Sequence, residues 1–334
     1  MRVDLVSCLT LAGSWVVAAA SHGPAVWNPE SFTVDSRMIF DLEDGSSFRL
    51  DDVPLPATST NLPTIIMHGM GDAAQNPGMQ RFRKAVEKST GNYATNIQIG
   101  ASQAEDTSNG FFMKLDKQVD YFAKVVAEDE KLRHGFNAMG FSQGNLVIRG
   151  YIQRYNQPPV LNFIAVHGPM AGVGALPHCK PVNVVCKTIN SMISYAAYAD
   201  SIQQSVAQAN YFRDPIRISE YLEHALFLPD INNEKPTKNA TYKKNFIQLN
   251  HLHLVRASKD TMVYPHASEW FGAYADGNFS ETLSMNETTW YKEDSFGLQS
   301  LDKAGKISLA ETAGDHLQIP TATLLKWIEQ YFTS

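Results

Sequence analysis

Apolar positions along this chain fall into two rhythms, and the alternation between them sets the fold. Residues 64–67, Thr-Ile-Ile-Met, form a short apolar run that passes straight into His68-Gly69-Met70-Gly71. A run this short, closed by glycines, reads as a strand buried on both faces. Similar runs at 96–99, 136–140, 161–166, 253–257 and 307–311 read the same way. Between them lie segments with helical spacing. In 112–129 the apolar side chains Phe112, Leu115, Val119, Phe122 and Val126 share one face. Helices are also expected over 79–90, 142–155 and 321–332. Strands alternating with helices predict a mostly parallel sheet covered by helices on both sides, an α/β class.

The alternation breaks between 168 and about 245. That stretch reads as loop and helices, clearest at 189–199 and 201–210, and is expected to be an insertion capping a site between two core strands. Upstream, residues 21–60 are irregular, and two short strands at 37–40 and 47–50 are expected to pair about Asp44-Gly45. No role is assigned to this N-terminal extension. Residues 1–20 read as a secretory signal: Arg2, an apolar stretch, then Ala18-Ala19-Ala20 as a small-residue cleavage site. The competing reading, an uncleaved anchor, suffers from the shortness of the stretch and its lack of a polybasic flank. The expected organisation is therefore a signal (1–20), an extension (21–60) and one domain (61–334) carrying the insertion at 168–245.

Composition narrows the partners. With 44% hydrophobic and 19% charged residues over 334 positions, the chain can bury a sizeable core. A net charge of -6 without a basic cluster argues against nucleic acid. No stretch beyond the signal is long and apolar enough to span a bilayer. Of three cysteines, Cys8 leaves with the signal, and Cys179 and Cys186 are expected to pair in a disulfide. Only His178 lies beside them, too few ligands for a metal. The sequons at Asn239, Asn278 and Asn286 fit a glycosylated face. Together these point to the secretory pathway, ending in the lysosome or vacuole or outside the cell.

The candidate chemistry centres on Gly140-Phe141-Ser142-Gln143-Gly144. A strand precedes it and a helix follows, the context in which G-x-S-x-G forms a sharp turn that lifts the serine into a cleft. A serine nucleophile needs a base, and the base needs an orienting acid. In α/β-hydrolases these follow in the order Ser, Asp or Glu, His. Asp260 follows the strand 253–257 and His316 the strand 307–311, so loops at strand ends can bring them to Ser142. Asp276 and Asp294 compete for the role of Asp260, and a surface role competes for His316. His251 and His253 face one side of a strand, but no third ligand lies near, so no metal is expected; His68 reads as structural. The oxyanion donors expected in this fold are the backbone N–H groups of Met70 and Gln143.

With these residues in place, the chain resembles the palmitoyl-protein thioesterase family from about Leu62 to the last helix. The likeness rests on His68-Gly69-Met70-Gly71-Asp72, on 137–144 (Asn-Ala-Met-Gly-Phe-Ser-Gln-Gly) and on Asp214-Pro215-Ile216. It continues in 227–232 (Phe-Leu-Pro-Asp-Ile-Asn), 242–245 (Tyr-Lys-Lys-Asn), 268–272 (Ser-Glu-Trp-Phe-Gly) and 314–318 (Gly-Asp-His-Leu-Gln). The resemblance implies an α/β-hydrolase fold and, without cofactor, hydrolysis of thioester-linked long-chain acyl groups from cysteines of S-acylated proteins or peptides. It implies a triad on Ser142, Asp260 and His316. The chain departs from the family at Asn145 and at Val166-His167-Gly168-Pro169, and it has fewer cysteines than animal relatives. Candidates for the acyl groove are Met170, Ala171, Val173, Leu176, Ile189, Ile193, Phe227 and Leu228. The alternatives are a lipase or esterase, an acyl-CoA thioesterase, and a non-enzymatic lipid carrier.

Overall fold

The computed structural model describes residues 62–177 and 183–333, together with the backbone of two short strands upstream. Those strands, β1 (Ile39–Asp41) and β2 (Ser47–Arg49), pair antiparallel with Phe40 opposite Phe48, as the hairpin reading expects. The signal segment lies outside the described residues, as does the rest of the extension.

The expected alternation follows. The elements are β3 (Thr64–Met67), α1 (Pro77–Thr90), β4 (Ala94–Asn96), α2 (Gln103–Phe112), α3 (Leu115–Glu128), β5 (Phe136–Phe141), α4 (Gly144–Arg154) and β6 (Val160–Val166). The segment after β6 adds α5 (Val184–Ala196), α6 (Asp200–Ser205), α7 (Ile218–His224), α8 (Leu228–Ile231) and α9 (Ala240–Phe246) and, among the described residues, no strand to the main sheet. Then come β7 (His251–Ala257), a small hairpin of β8 (Ala273–Tyr274) and β9 (Thr282–Leu283), α10 (Thr289–Lys292), α11 (Leu298–Lys303), β10 (Ile307–Thr312) and α12 (Thr321–Phe332).

Six strands form one sheet in the order β10-β7-β6-β5-β3-β4, all neighbours parallel. Parallel strands with helices on both faces bury both sides, which is why they read as unbroken apolar runs. One core, between sheet and α3–α4, includes Val119, Phe122, Leu146 and Ile152; the other, under α1 and α12, includes Phe82, Val86, Leu324 and Ile328. The order reverses between β3 and β5. Clefts in such sheets open at the carboxyl ends of the strands flanking that reversal.

Two expected elements differ. The strand at 96–99 forms earlier, over Ala94–Asn96. The helix expected over 112–129 begins later, at Leu115, and a separate helix that was not expected, α2, precedes it. Lys114 is extended (φ -55°, ψ 147°), and the Leu115 N–H donates to Asn210 Oδ1 at 2.8 Å. Ser102 caps α2 by accepting the Glu105 N–H. The apolar stripe from Leu115 to Val126 is buried as expected, whereas Phe112 ends α2 and stays exposed.

Candidate active site

Ser142 sits on the turn between β5 and α4 with φ +50°, a conformation rare for a residue with a side chain. The turn is tight enough to require its glycines. A Cβ on Gly140 would lie 2.4 Å from Asn145 Oδ1, and one on Gly144 would lie 2.4 Å from the His68 carbonyl oxygen. Asn145 ties the turn to the neighbouring strand: its Nδ2 donates to the Ser142 and Val166 carbonyls at 2.9 and 3.0 Å.

The loop after β7 carries Asp260 and the loop after β10 carries His316, and both reach Ser142. The Ser142 hydroxyl lies 2.9 Å from His316 Nε2, and His316 Nδ1 lies 2.6 Å from Asp260 Oδ2. Asp260 is buried, and its other oxygen accepts the N–H groups of Met262 and Val263 at 2.7 and 2.8 Å. Burial alone would raise its pKa, but His316 and these N–H groups outweigh it and lower it. With Asp260 ionised, His316 donates from Nδ1 and offers Nε2 to the serine hydroxyl. The competing carboxylates go elsewhere: Asp276 pairs with Arg213, and Asp294 with Lys243 and Ser300.

Several residues to which the sequence reading gave no role at the triad hold this arrangement. Asp315 Oδ1 accepts the N–H groups of His316 and Thr261, at 2.6 and 2.8 Å, so it joins the two loops. Glu269 is buried against Asp260, with Oε2 accepting the Ala257 N–H at 2.9 Å. Burial, then the Asp260 charge, pushes its pKa up to about 10, so it is a neutral acid near neutrality. His167, at the end of β6, stands beside His316 with ring centroids 6.1 Å apart. No spacing signal marks any of these. Each is recognised by a partner on another element.

Met70 and Gln143 flank Ser142 from the two strands at the sheet reversal. The loop bearing Met70 is anchored through His68, as its structural reading expects. His68 Nδ1 donates to the Gly69 carbonyl at 2.9 Å and Nε2 to Asp106 Oδ1 at 3.0 Å. Burial opposes a charge on His68, but the hydrogen bond and charge of Asp106 overcome it and raise the pKa. Asp106 also accepts the N–H groups of Ala74 and Ile99. The Gln143 side chain donates to the Gly110 carbonyl and accepts from Gln208 and Tyr211, in the segment after β6.

Beside Ser142 a cleft of about 270 Å³ opens between α1 and α12, with Met79, Phe82, Phe141, Ile319 and Leu324 among its walls. None of the residues expected to line the acyl groove is among these walls. Met170, Ala171, Val173, Ile189, Ile193, Phe227 and Leu228 are all buried in the main core, and Leu176 packs partly buried against it.

His251 Nε2 and His253 Nδ1, facing β10, each lie 2.7 Å from the Ser308 hydroxyl. Among the described residues the one cluster of potential ligands is His167, Asp260 and His316, whose hydrogen bonds are accounted for above and below. Cys186 is disulfide-bonded, and its expected partner Cys179 lies outside the described residues. Asn239 and Asn286 are exposed and Asn278 half-buried. Among the described residues, no helix is long and apolar enough to cross a membrane.

Comparison with known proteins agrees with the geometry. A palmitoyl-protein thioesterase 1 from Caenorhabditis elegans is 39% identical over 274 residues, covering 81% of this chain and 92% of that one. A palmitoyl-protein thioesterase 3 from Dictyostelium discoideum is 36% identical, covering 83% and 91%. The human lysosomal thioesterase PPT2 is 29% identical, covering 78% and 83%. The sequence signature described as palmitoyl protein thioesterase matches residues 63–316. This chain therefore belongs to the palmitoyl protein thioesterase family and carries its α/β-hydrolase fold.

Proposed function

We propose that the protein is a serine thioesterase that removes long-chain fatty acyl groups, palmitate foremost, from cysteines of S-acylated proteins or peptides. The observation that carries this reading is His316 bridging Ser142 and Asp260, at 2.9 and 2.6 Å, in a chain of this family. His316 takes the Ser142 proton as the oxygen attacks the thioester carbonyl, while Asp260 holds the ring in the tautomer that can accept it. The N–H groups of Met70 and Gln143 receive the oxyanion, each contributing about 3–4 kcal/mol to its stabilisation. Collapse of the tetrahedral intermediate expels the cysteine thiolate, which takes the proton from His316. Water, deprotonated by His316, then releases the fatty acid and restores Ser142.

A thioester is less resonance-stabilised than an oxyester and its thiolate leaves readily, so the catalytic demand falls on attack. The acyl chain needs apolar surface, worth about 0.8 kcal/mol per buried methylene. The cleft between α1 and α12 supplies it beside Ser142. The expected setting is the secretory pathway, ending in the lysosome or vacuole or outside the cell. Supporting it are the signal-like N-terminus, the sequons at Asn239, Asn278 and Asn286, and the disulfide at Cys186.

The test is fatty-acid release from a palmitoyl-cysteine peptide by wild type and Ser142→Ala, at acidic and neutral pH. Matched oxyester and palmitoyl-CoA substrates run alongside. Wild type is expected to release palmitate fastest from the peptide, and Ser142→Ala to lose activity by a factor on the order of 10⁴ or more while keeping its fold. Faster turnover of the oxyester would replace the reading with an esterase, and of palmitoyl-CoA with an acyl-CoA thioesterase. No turnover with any substrate would leave a lipid carrier.

A further inference from the structure

We propose that His167 is a positioning residue for His316. As a neutral imidazole protonated on Nε2, it clamps both ends of the loop that carries His316. This rests on the triad reading above and adds a residue that the triad does not contain.

The tautomer follows from the partners. His167 Nδ1 lies 2.9 Å from the backbone nitrogen of Leu317. A backbone N–H can only donate, so Nδ1 must hold a lone pair. The ring hydrogen is then on Nε2, which lies 2.9 Å from Thr312 Oγ1 and donates to it. The Thr312 hydroxyl in turn faces the Arg256 carbonyl at 3.4 Å. Thr312 ends β10 and Leu317 follows His316, so one buried ring spans the entry and the exit of the excursion through Ala313, Gly314, Asp315 and His316.

The clamp holds strained backbone. His167 and Leu317 have φ of +48° and +58°, a region where bulky residues are rare. Such conformations persist where surrounding contacts over-determine them, and they cluster at functional sites. Leu317 in this conformation turns the chain so that His316 points at Ser142, and the bond to His167 fixes that turn.

Neutrality is a condition of the clamp. A proton on Nδ1 would set two N–H donors against each other at 2.9 Å, and it would place a second positive ring 6.1 Å from His316. The titratable groups facing His167 are His316 and Asp260. Arg256 and Glu311, on the strands behind, pair with each other. Burial first, and His316 second, hold the His167 pKa down to about 4. The clamp therefore stays closed in mildly acidic surroundings.

Two variants of the full chain separate positioning from packing. His167→Asn places an amide oxygen near the position of Nδ1, tolerates positive φ and does not titrate. His167→Gly relieves the backbone and removes the acceptor. On the palmitoyl-cysteine peptide, His167→Gly is expected to lose kcat by about 10- to 100-fold with KM within about twofold, and His167→Asn to stay within about threefold of wild type. Long-range proton–nitrogen correlation spectra of wild type should show the Nε2–H tautomer of His167 from about pH 8 down to 5. Wild-type kcat in His167→Gly, an equal loss in His167→Asn, or an Nδ1–H or cationic ring in that range would each overturn the proposal. Should His167→Gly fail to fold, the wild-type tautomer decides. Inactive wild type with the Nε2–H tautomer intact would reject the thioesterase reading and keep the clamp.

Discussion

Glu269 and Asp260 are two carboxyl groups buried side by side, and only one of them ionises. Asp260 faces His316 and two N–H groups, so its pKa falls; Glu269 faces Asp260, so its own rises to about 10. A protonated Glu269 can donate to Asp260 while its other oxygen keeps the Ala257 N–H. The stability sign follows. A carboxyl with a raised folded pKa stabilises fully below its unfolded value, near 4.5, and that contribution fades as pH rises toward 10. Glu269→Gln keeps a donor and an acceptor without the ionisation. It should melt at least about 2 °C higher than wild type at pH 8, the equivalent of about 1 kcal/mol. The gain should vanish near pH 4.5, with kcat within about threefold. An equal gain at both pH values would mean that Glu269 is ionised in the folded protein. None of this is visible in the sequence, where Glu269 is one acidic residue among many. Ser142, Asp260 and His316 were legible because each follows an apolar strand and they occur in a fixed order. Glu269, Asp315 and His167 act through partners far along the chain, and no local pattern marks them.

At the scale of elements, the strands were legible because burial on both faces leaves an unbroken apolar run. The helix expected over 112–129 was legible apart from its start, which depends on Asn210, almost a hundred residues on, and α2 was missed because it is too polar to show a stripe. The cleft beside Ser142 was not legible for a related reason: an apolar side chain lining a cleft and one filling a core look alike in sequence. Two outcomes test the elements that shape the site. Asp106 on α2 holds His68, Ala74 and Ile99 around the Met70 loop. Asp106→Ala leaves these donors buried without an acceptor, and should cost about 3–5 kcal/mol in urea unfolding. A loss below about 1 kcal/mol would mean that the loop holds without it. Leu324 on α12 faces α1 across the cleft. Leu324→Trp should shorten the room for an acyl chain, lowering kcat/KM for a palmitoyl substrate at least about tenfold relative to a butyryl one, the loss of about two buried methylenes. A proportionate fall for both chain lengths would place the acyl chain elsewhere.

For the whole molecule, the same groups set the pH at which it is most stable. His167 and His253 are both held down to about 4, chiefly by burial, so the folded protein leaves them neutral while the unfolded chain protonates them below about 6.5. Their contribution is complete above that value and is lost as pH falls toward 4. Glu269 has the opposite sign, keeping a proton in the folded state that the unfolded chain gives up above about 4.5. Between about 4.5 and 6.5 the unfolded state therefore binds two protons at the histidines and lacks one at Glu269. For these three groups alone, the net of about one proton makes stability rise by about 1.4 kcal/mol per pH unit. Above 6.5 the histidine contributions stop while Glu269 continues, and His68, whose pKa is raised, adds the same downward slope. The combined contribution of these groups should accordingly peak between about pH 6 and 7. His253 isolates one part of this balance. Its ring lies against Trp327 and Tyr331, its Nε2 has no partner, and Ser308, which meets its Nδ1, keeps His251 and Tyr331 as partners, so a phenyl ring can take its place at small cost. His253→Phe should remove about one proton from the acid limb and flatten it by about 1.4 kcal/mol per pH unit, read from urea midpoints at half-unit steps. A wild-type stability that keeps rising down to pH 4.5, or an acid limb that His253→Phe leaves unchanged, would show that these buried rings are already charged in the folded protein.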